Sequence, residues 1–204
     1  PSEYPIFRRE RASNAYRAWT YFVAKSAAEL PIQLLLPFIF SLIAYFMVGL
    51  QRDAGTYFTF VALLLALCFC SQSMGLFISA CTDNIVVGQV IAQMILLVFL
   101  LFSGFYANNE SLLSWLSWIV WVSFIAYAFK AVVQNEFEGL TFDCPNGNSC
   151  LYRTGEDVIN FYDVDTPSIW ICFVIILAYA VFFRIMAYLV LNLRSKPVRN
   201  IKMA

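Results

Sequence analysis

The sequence predicts an all-α membrane protein, a polytopic helical bundle, and three observations carry that prediction. Hydrophobic residues make up 61% of the 204 and charged residues only 13%, whereas an ordinary globular domain carries about 25% charged residues. Apolar stretches recur at 31–50, 57–80, 85–106 and 168–193, each close to the roughly 20 residues that cross a bilayer. The charges, finally, are sorted by segment, although the formal net charge is zero.

Residues 1–30 bring Arg8, Arg9, Arg11, Arg17 and Lys25 together with Tyr16, Trp19, Tyr21 and Phe22. Ser13 or Asn14 can cap a helix starting near Ala15. Such a cytosolic amphipathic segment suits a juxtamembrane anchor, with basic groups toward headgroups and rings in the interface. It suits equally a contact surface for a cytosolic partner domain. In the first span, Pro31 and Pro37 each remove a backbone donor and favour a bend, which membrane helices tolerate when neighbours satisfy the freed carbonyls. A polar link, 51–55, leads to the second span, where Ser71, Gln72, Ser73 and Gly75 predict close helix packing. A turn at 81–84 opens the third span, 85–106. The region 107–167 follows, then the last span and a basic tail, 194–204.

The amino-terminal arm holds five basic residues against Glu3, Glu10 and Glu29. The tail holds Arg194, Lys196, Arg199 and Lys202 with no acid, while 107–167 carries eight acids against Lys130 and Arg153. Basic flanks belong in the cytoplasm, so both ends are expected inside and the number of crossings even. The apolar stretch 112–133 is therefore read as dipping in and returning, buried against protein as re-entrant segments must be. Trp115, Trp118, Trp121 and Tyr127 suit such an interfacial position. Four crossings then place 107–167 outside, where Cys144 and Cys150 flank a Pro-Asn-Gly turn. In an oxidising compartment two cysteines closing a short polar loop pair. Cys68, Cys70, Cys81 and Cys172 lie in or beside spans and are expected to act as small apolar residues.

The chain contains no histidine, and its cysteines show no zinc spacing. No Asp, Glu, Lys or Arg occurs in 31–50, 57–80 or 85–106. Arg184, toward the end of the last span, is expected to snorkel to the interface. Intramembrane ionisable groups mark proton relays, voltage sensors and ion-coupled transport, so their scarcity argues against all three and against an intramembrane protease. No catalytic site is legible. An apolar bundle of this kind needs energy from another domain or chain if it transports. Gln93, Leu96, Leu97 and Leu100 are candidate contacts for a hydrophobic ligand, with Phe99, Phe102, Phe105 and Tyr106 thickening toward one end; the plainer reading is that they pack a bundle or face lipid.

Several stretches occur in a telling order: RERASNAYRAWTYFVAKSAAELP, YFMVGL, FSGFYANNESLLSWLSWIVWVSFIAYAFKAVVQNEFEGL and the Cys loop followed by RTGEDVI. In these the chain resembles the ABC-2 type membrane domain of G-subfamily ABC transporters, the white/sterol/multidrug half-transporter group, over its last four spans. The resemblance implies two further spans and a nucleotide-binding domain ahead of Pro1, with ATP and Mg bound there and not in this chain, which has no GxxxxGK[ST] loop. It implies that Glu10, Arg11, Ser13, Asn14, Tyr16 and Arg17 couple to the ATPase domain, and that the third span lines a two-fold cavity with Leu97 and Leu100 near substrate. Phe105 and Tyr106 match a valve, where some multidrug members have two leucines. Residues 112–133 match re-entrant helices, and Cys144–Cys150 an external-loop disulfide. The expected activity is export of hydrophobic or amphipathic substrates (lipids, sterols, xenobiotics or pigment precursors) by a homodimer or heterodimer in the plasma membrane, with no nucleic-acid partner. A non-transporting scaffold or receptor-like subunit is the alternative. An ion channel is weaker, since no span offers a charged or carbonyl-rich filter.

Overall fold

The computed structural model describes residues 18–51, 53–105, 117–142, 152–162, 164 and 166–194. These form α1 (Ala18–Val48), α2 (Ala54–Cys81), α3 (Ile85–Leu101), α4 (Ser117–Val122), α5 (Phe124–Phe137), α6 (Gly155–Phe161) and α7 (Ile169–Arg194). Three helices are long and apolar enough to cross a membrane: Phe22–Val48, Ala54–Cys81 and Ile169–Arg194. The chain is an integral membrane protein. Among the described residues no strand forms; one isolated bridge pairs Thr141 with Thr154.

α1 is a single helix of 31 residues that passes through Pro31 and Pro37. Residues 18–30 thus continue into the first span instead of forming a separate surface helix ahead of it. Ala, Lys, Glu and Leu dominate AKSAAEL and are strong helix formers, so nothing there ends a turn. The links between the first three helices are capped as their sequences suggest. Asp53 Oδ2 accepts from the Gly55 and Thr56 amides at 2.9 and 3.2 Å, and Asn84 Oδ1 accepts from the Val86 amide at 3.0 Å, each satisfying donors that a helix start leaves open.

α2 is the central helix, in contact with α1, α3, α5 and α7 and most extensively with α7. Ala66, Cys70, Met74 and Ile78 project from it at intervals of four, forming one ridge. Phe124 and Ala128 of α5 and Ile176 and Ala180 of α7 close over that ridge. Small residues let the backbones approach, which is what drives packing where lipid is as apolar as the side chains. Cys70 and Cys172 are fully buried, and with Cys68 and Cys81 they are free thiols.

α3 stops short of the expected residue 106. It has 17 residues, about 25 Å at 1.5 Å per residue, less than the ~30 Å of a bilayer core. The Ser103 hydroxyl donates to the Leu100 carbonyl at 2.7 Å, and Gly104 turns the chain at φ +94°, a conformation that favours glycine. In the stretch read as one re-entrant segment, the described part divides at Ser123. That residue leaves the helix, caps α5 by accepting from the Ala126 amide at 3.3 Å, and donates to the Phe99 carbonyl at 3.2 Å. α5 then runs on to Phe137. There Gly155, opening α6, comes so close that a Cβ would lie 1.8 Å from the Phe137 carbonyl oxygen.

Candidate functional site

The surface that bears on function is α3. Ala92, Ile95, Leu96 and Phe99 pack against the central cluster, and Phe99 meets Phe124 edge to face at 5.6 Å between centroids. Gln93, Leu97 and Leu100 fall on the other side, in an exposed row with Val86 and Val90. Spacings of three and four residues put them on one stripe. The structure therefore groups three of the four cavity candidates and separates Leu96, which faces inward. Phe105 stands just past the end of α3, its ring 5.9 Å from that of Phe129 and edge-on to it. Tyr106, the coupling residues Glu10, Arg11, Ser13, Asn14, Tyr16 and Arg17, and Cys144 and Cys150 lie outside the described residues.

A polar seam inside the bundle was not legible beforehand. Lys25, Glu29 and Gln33 occupy one face of α1 at intervals of four. Glu29 pairs with Lys25 at 3.4 Å and accepts from Gln72 Nε2 of α2 at 2.7 Å. One residue on, the Ser73 hydroxyl donates to the Phe69 carbonyl and accepts from Arg184 Nε of α7 at 3.1 Å. The Arg184 guanidinium lies over the Phe69 ring, 4.2 Å from its centroid, within the ~6 Å of a cation–π contact. Arg184 does not snorkel. It turns into the α2–α7 contact because a hydroxyl and an aromatic face are available there, ten residues before the helix ends. Both amide atoms of Gln33, Gln72 Oε1 and Arg184 Nη2 are buried without a hydrogen-bond partner among the described residues. The signal was the four-residue spacing on α1, hidden by a boundary drawn at residue 30.

At the opposite end of α1, the last turns of α5 act as a buckle. Glu136 Oε1 accepts from the Gln51 amide at 2.5 Å, Asn135 Nδ2 donates to the Thr56 carbonyl at 3.0 Å, and the Tyr45 hydroxyl donates to the Gln51 carbonyl. Burial pushes the Glu136 carboxyl above its ordinary range, opposed in part by the Gln51 amide. On the other side of α5, Gln134 Nε2 donates to the Val164 and Pro167 carbonyls and Lys130 Nζ to that of Thr166. Thr154 and Asp157 form a reciprocal capping box on α6, and the amides of Thr154 and Arg153 hold the Asp157 carboxyl below its usual range.

Long apolar helices packed around one central helix and joined by short polar links define a polytopic membrane domain. Residues 1–137 match the ABC-2 type transporter family, and the chain belongs to it, as a G-subfamily transmembrane domain. It is 33% identical over 204 residues to ABC transporter G family member 1 of Dictyostelium discoideum, covering 96% of this chain and 26% of that protein. It is 32% identical over 201 residues to Protein white of Drosophila melanogaster, covering 96% and 29%, and 29% identical over 229 residues to ABC transporter G family member 2 of Arabidopsis thaliana, covering 96% and 30%. The chain spans less than a third of the length of these relatives. The sequence holds no phosphate-cradling GxxxxGK[ST], and among the described residues no three His, Cys, Asp or Glu side chains gather where a metal ion could sit.

Proposed function

We propose that this domain is the membrane-spanning part of an ATP-driven exporter of hydrophobic or amphipathic molecules, working as a dimer by alternating access. The observation that carries the reading is the unpartnered stripe of α3. Gln93, Leu97 and Leu100 are apolar save for one amide and are exposed, with nothing among the described residues covering them. Facing a second copy or a related half across a two-fold axis, they would line an apolar cavity that holds such molecules without strict selection. In this reading Phe105 and Tyr106 form the valve at its end, and the Glu10–Arg17 segment passes on movement from a nucleotide-binding domain outside these residues. Both ends lie in the cytosol, 107–167 lies outside with re-entrant helices, and Cys144 and Cys150 are bridged. The sorting of basic and acidic residues supports that orientation.

Cysteine placed on α3 tests the cavity. In full-length protein with Cys81→Ser, Leu97→Cys should cross-link to a second subunit with a short thiol-reactive linker. The cross-link should abolish vanadate-sensitive, substrate-stimulated ATPase activity. Leu96→Cys, on the packed face, should do neither. Equal cross-linking at both positions, or none at Leu97, would remove the dimer cavity; absence of any stimulated ATPase activity would favour the scaffold.

A further inference from the structure

We propose that the cavity where α5, α6 and the start of α7 meet binds an organic ammonium ion that carries an apolar group. The cavity has a volume of about 630 Å³, ample for a small organic molecule. No residue of α3 lines it, so the assignment does not rest on the exporter reading. Gln134 and Ile159, both buried, form its floor, and Glu138, Glu156 and Trp170 stand exposed along its rim. The floor presents an acceptor. Gln134 is only 7% exposed, and its Nε2 donates to the Val164 and Pro167 carbonyls. Carbonyls accept and never donate, so they fix the amide with its nitrogen toward them. Oε1 is left to the cavity, with no donor for it among the described residues, and an acceptor so enclosed is costly until a donor meets it.

The rim adds two carboxylates that the backbone brings together. Gly155 lies against the Phe137 carbonyl and donates its amide to the Leu140 carbonyl at 2.8 Å. Glu138 and Glu156 directly follow Phe137 and Gly155, so the contact that joins α6 to α5 sets two like charges on one cavity. Neither forms an ion pair or a side-chain hydrogen bond among the described residues. No Lys or Arg lines the cavity; Lys130, on the same face of α5 as Gln134 and Glu138, donates to the Thr166 carbonyl at 3.1 Å. The carboxy-terminal end of α5, where Glu138 sits, itself favours a cation.

These groups select the occupant. An anion would meet two like charges, which disfavours a phosphate and with it a phospholipid headgroup. A metal ion needs a compact shell of hard ligands, and no three His, Cys, Asp or Glu side chains gather among the described residues. An ammonium group can instead reach an amide oxygen and a carboxylate at once through its several N–H donors. Trp170 and Ile169 offer its carbon part an apolar wall, and an indole face attracts a cation.

Isothermal titration calorimetry of the full-length protein in phosphatidylcholine nanodiscs, with empty nanodiscs as the blank, tests this with phenethylammonium and phenethyl alcohol. One phenethylammonium per chain should bind, about tenfold more tightly than the alcohol, as two exposed ion pairs allow. Glu138→Gln and Glu156→Gln should each weaken it about threefold, the size of one such pair. The double variant should bring it to the level of the alcohol, with the melting temperature no lower. Glu136→Gln, which removes a carboxylate from outside the cavity, should leave the affinity unchanged. Equal affinity for ammonium and alcohol, undiminished affinity in the double variant, or an equal loss in Glu136→Gln would overturn the site. Phosphatidylethanolamine, whose ammonium stands beside a phosphate, should not compete when mixed into the nanodiscs. Competition would show a lipid headgroup there and overturn the assignment to a free ammonium compound.

Discussion

α2 and α3 are both apolar, adjacent in sequence and joined by a three-residue turn, yet the bundle treats them in opposite ways. α2 buries Val61, Leu63, Ala66, Cys70, Ser73, Met74 and Ile78, while α3 buries Gly88 alone. The difference lies in side-chain size along one face. α2 offers small or flexible residues at four-residue intervals, so α5 and α7 close onto it. α3 carries Val, Ile and Leu on every side and meets the bundle with part of one face, leaving the rest for lipid or a partner. Apolarity places a helix in the membrane; where its small residues fall decides how far it enters the core.

The largest test of that contrast is a pair of truncations. Phe124 is fully buried between the α2 ridge and Phe99, so Phe124→Ala should destabilise by about 3–5 kcal/mol, as deletion of a packed ring does. Leu36 on α1 is 62% exposed, and Leu36→Ala should stay within about 0.5 kcal/mol, since it leaves no cavity. Heating the purified full-length protein and following the loss of monodisperse material compares the two. Similar losses would mean that α1 is covered in the intact protein and that the contrast belongs to the isolated chain.

A smaller effect sharpens the same contrast on the α2–α7 contact, where a charge is packed among apolar residues. Arg184→Ala removes the bond to Ser73 and the contact with the Phe69 ring. Ser73 keeps its own bond to the Phe69 carbonyl, so no hydroxyl is stranded and the loss should be about 1–3 kcal/mol. Arg184→Lys should recover only part of it, because an ammonium lacks the planar fork that reaches Ser73 while lying on a ring. Full recovery by Lys would show that charge alone matters, as in a snorkelling side chain.

The first, second and last spans, the short polar links at 51–55 and 81–84 and the apolar role of Cys70 and Cys172 were legible in the sequence, because each rests on local chemistry: apolar length, a run of polar residues, a small sulfur side chain. The end of α3 was not. A run apolar as far as Tyr106 says nothing of the turn that Ser103 and Gly104 impose once the Ser123 hydroxyl, twenty-odd residues on, takes the Phe99 carbonyl. The seam from Glu29 to Arg184 was hidden for a related reason. Three helices far apart in sequence supply it, and periodicity on one helix cannot name its partners on another. Gln93, Leu97 and Leu100 share a face. Leu96 neighbours Leu97 in sequence, and one residue of helix turns it by about 100°, onto the packed side.

The smallest effect concerns the buckle at the other end of α2, where Glu136 is one of three side chains that hold the link. Burial raises the Glu136 carboxyl above its ordinary range, so the folded protein holds this proton more tightly than an unfolded chain does. Stability from the group is then complete below the unfolded carboxyl pKa, about 4.3, and is lost as pH rises through the folded value. Glu136→Gln keeps an acceptor for the Gln51 amide and cannot ionise. Its melting temperature should match the wild type near pH 4 and exceed it at pH 7. The sign separates two descriptions of the link. If the wild type is instead the more stable at pH 7, the ionised carboxylate has a cationic partner there, and this end of α2 is held as firmly as the seam at Arg184.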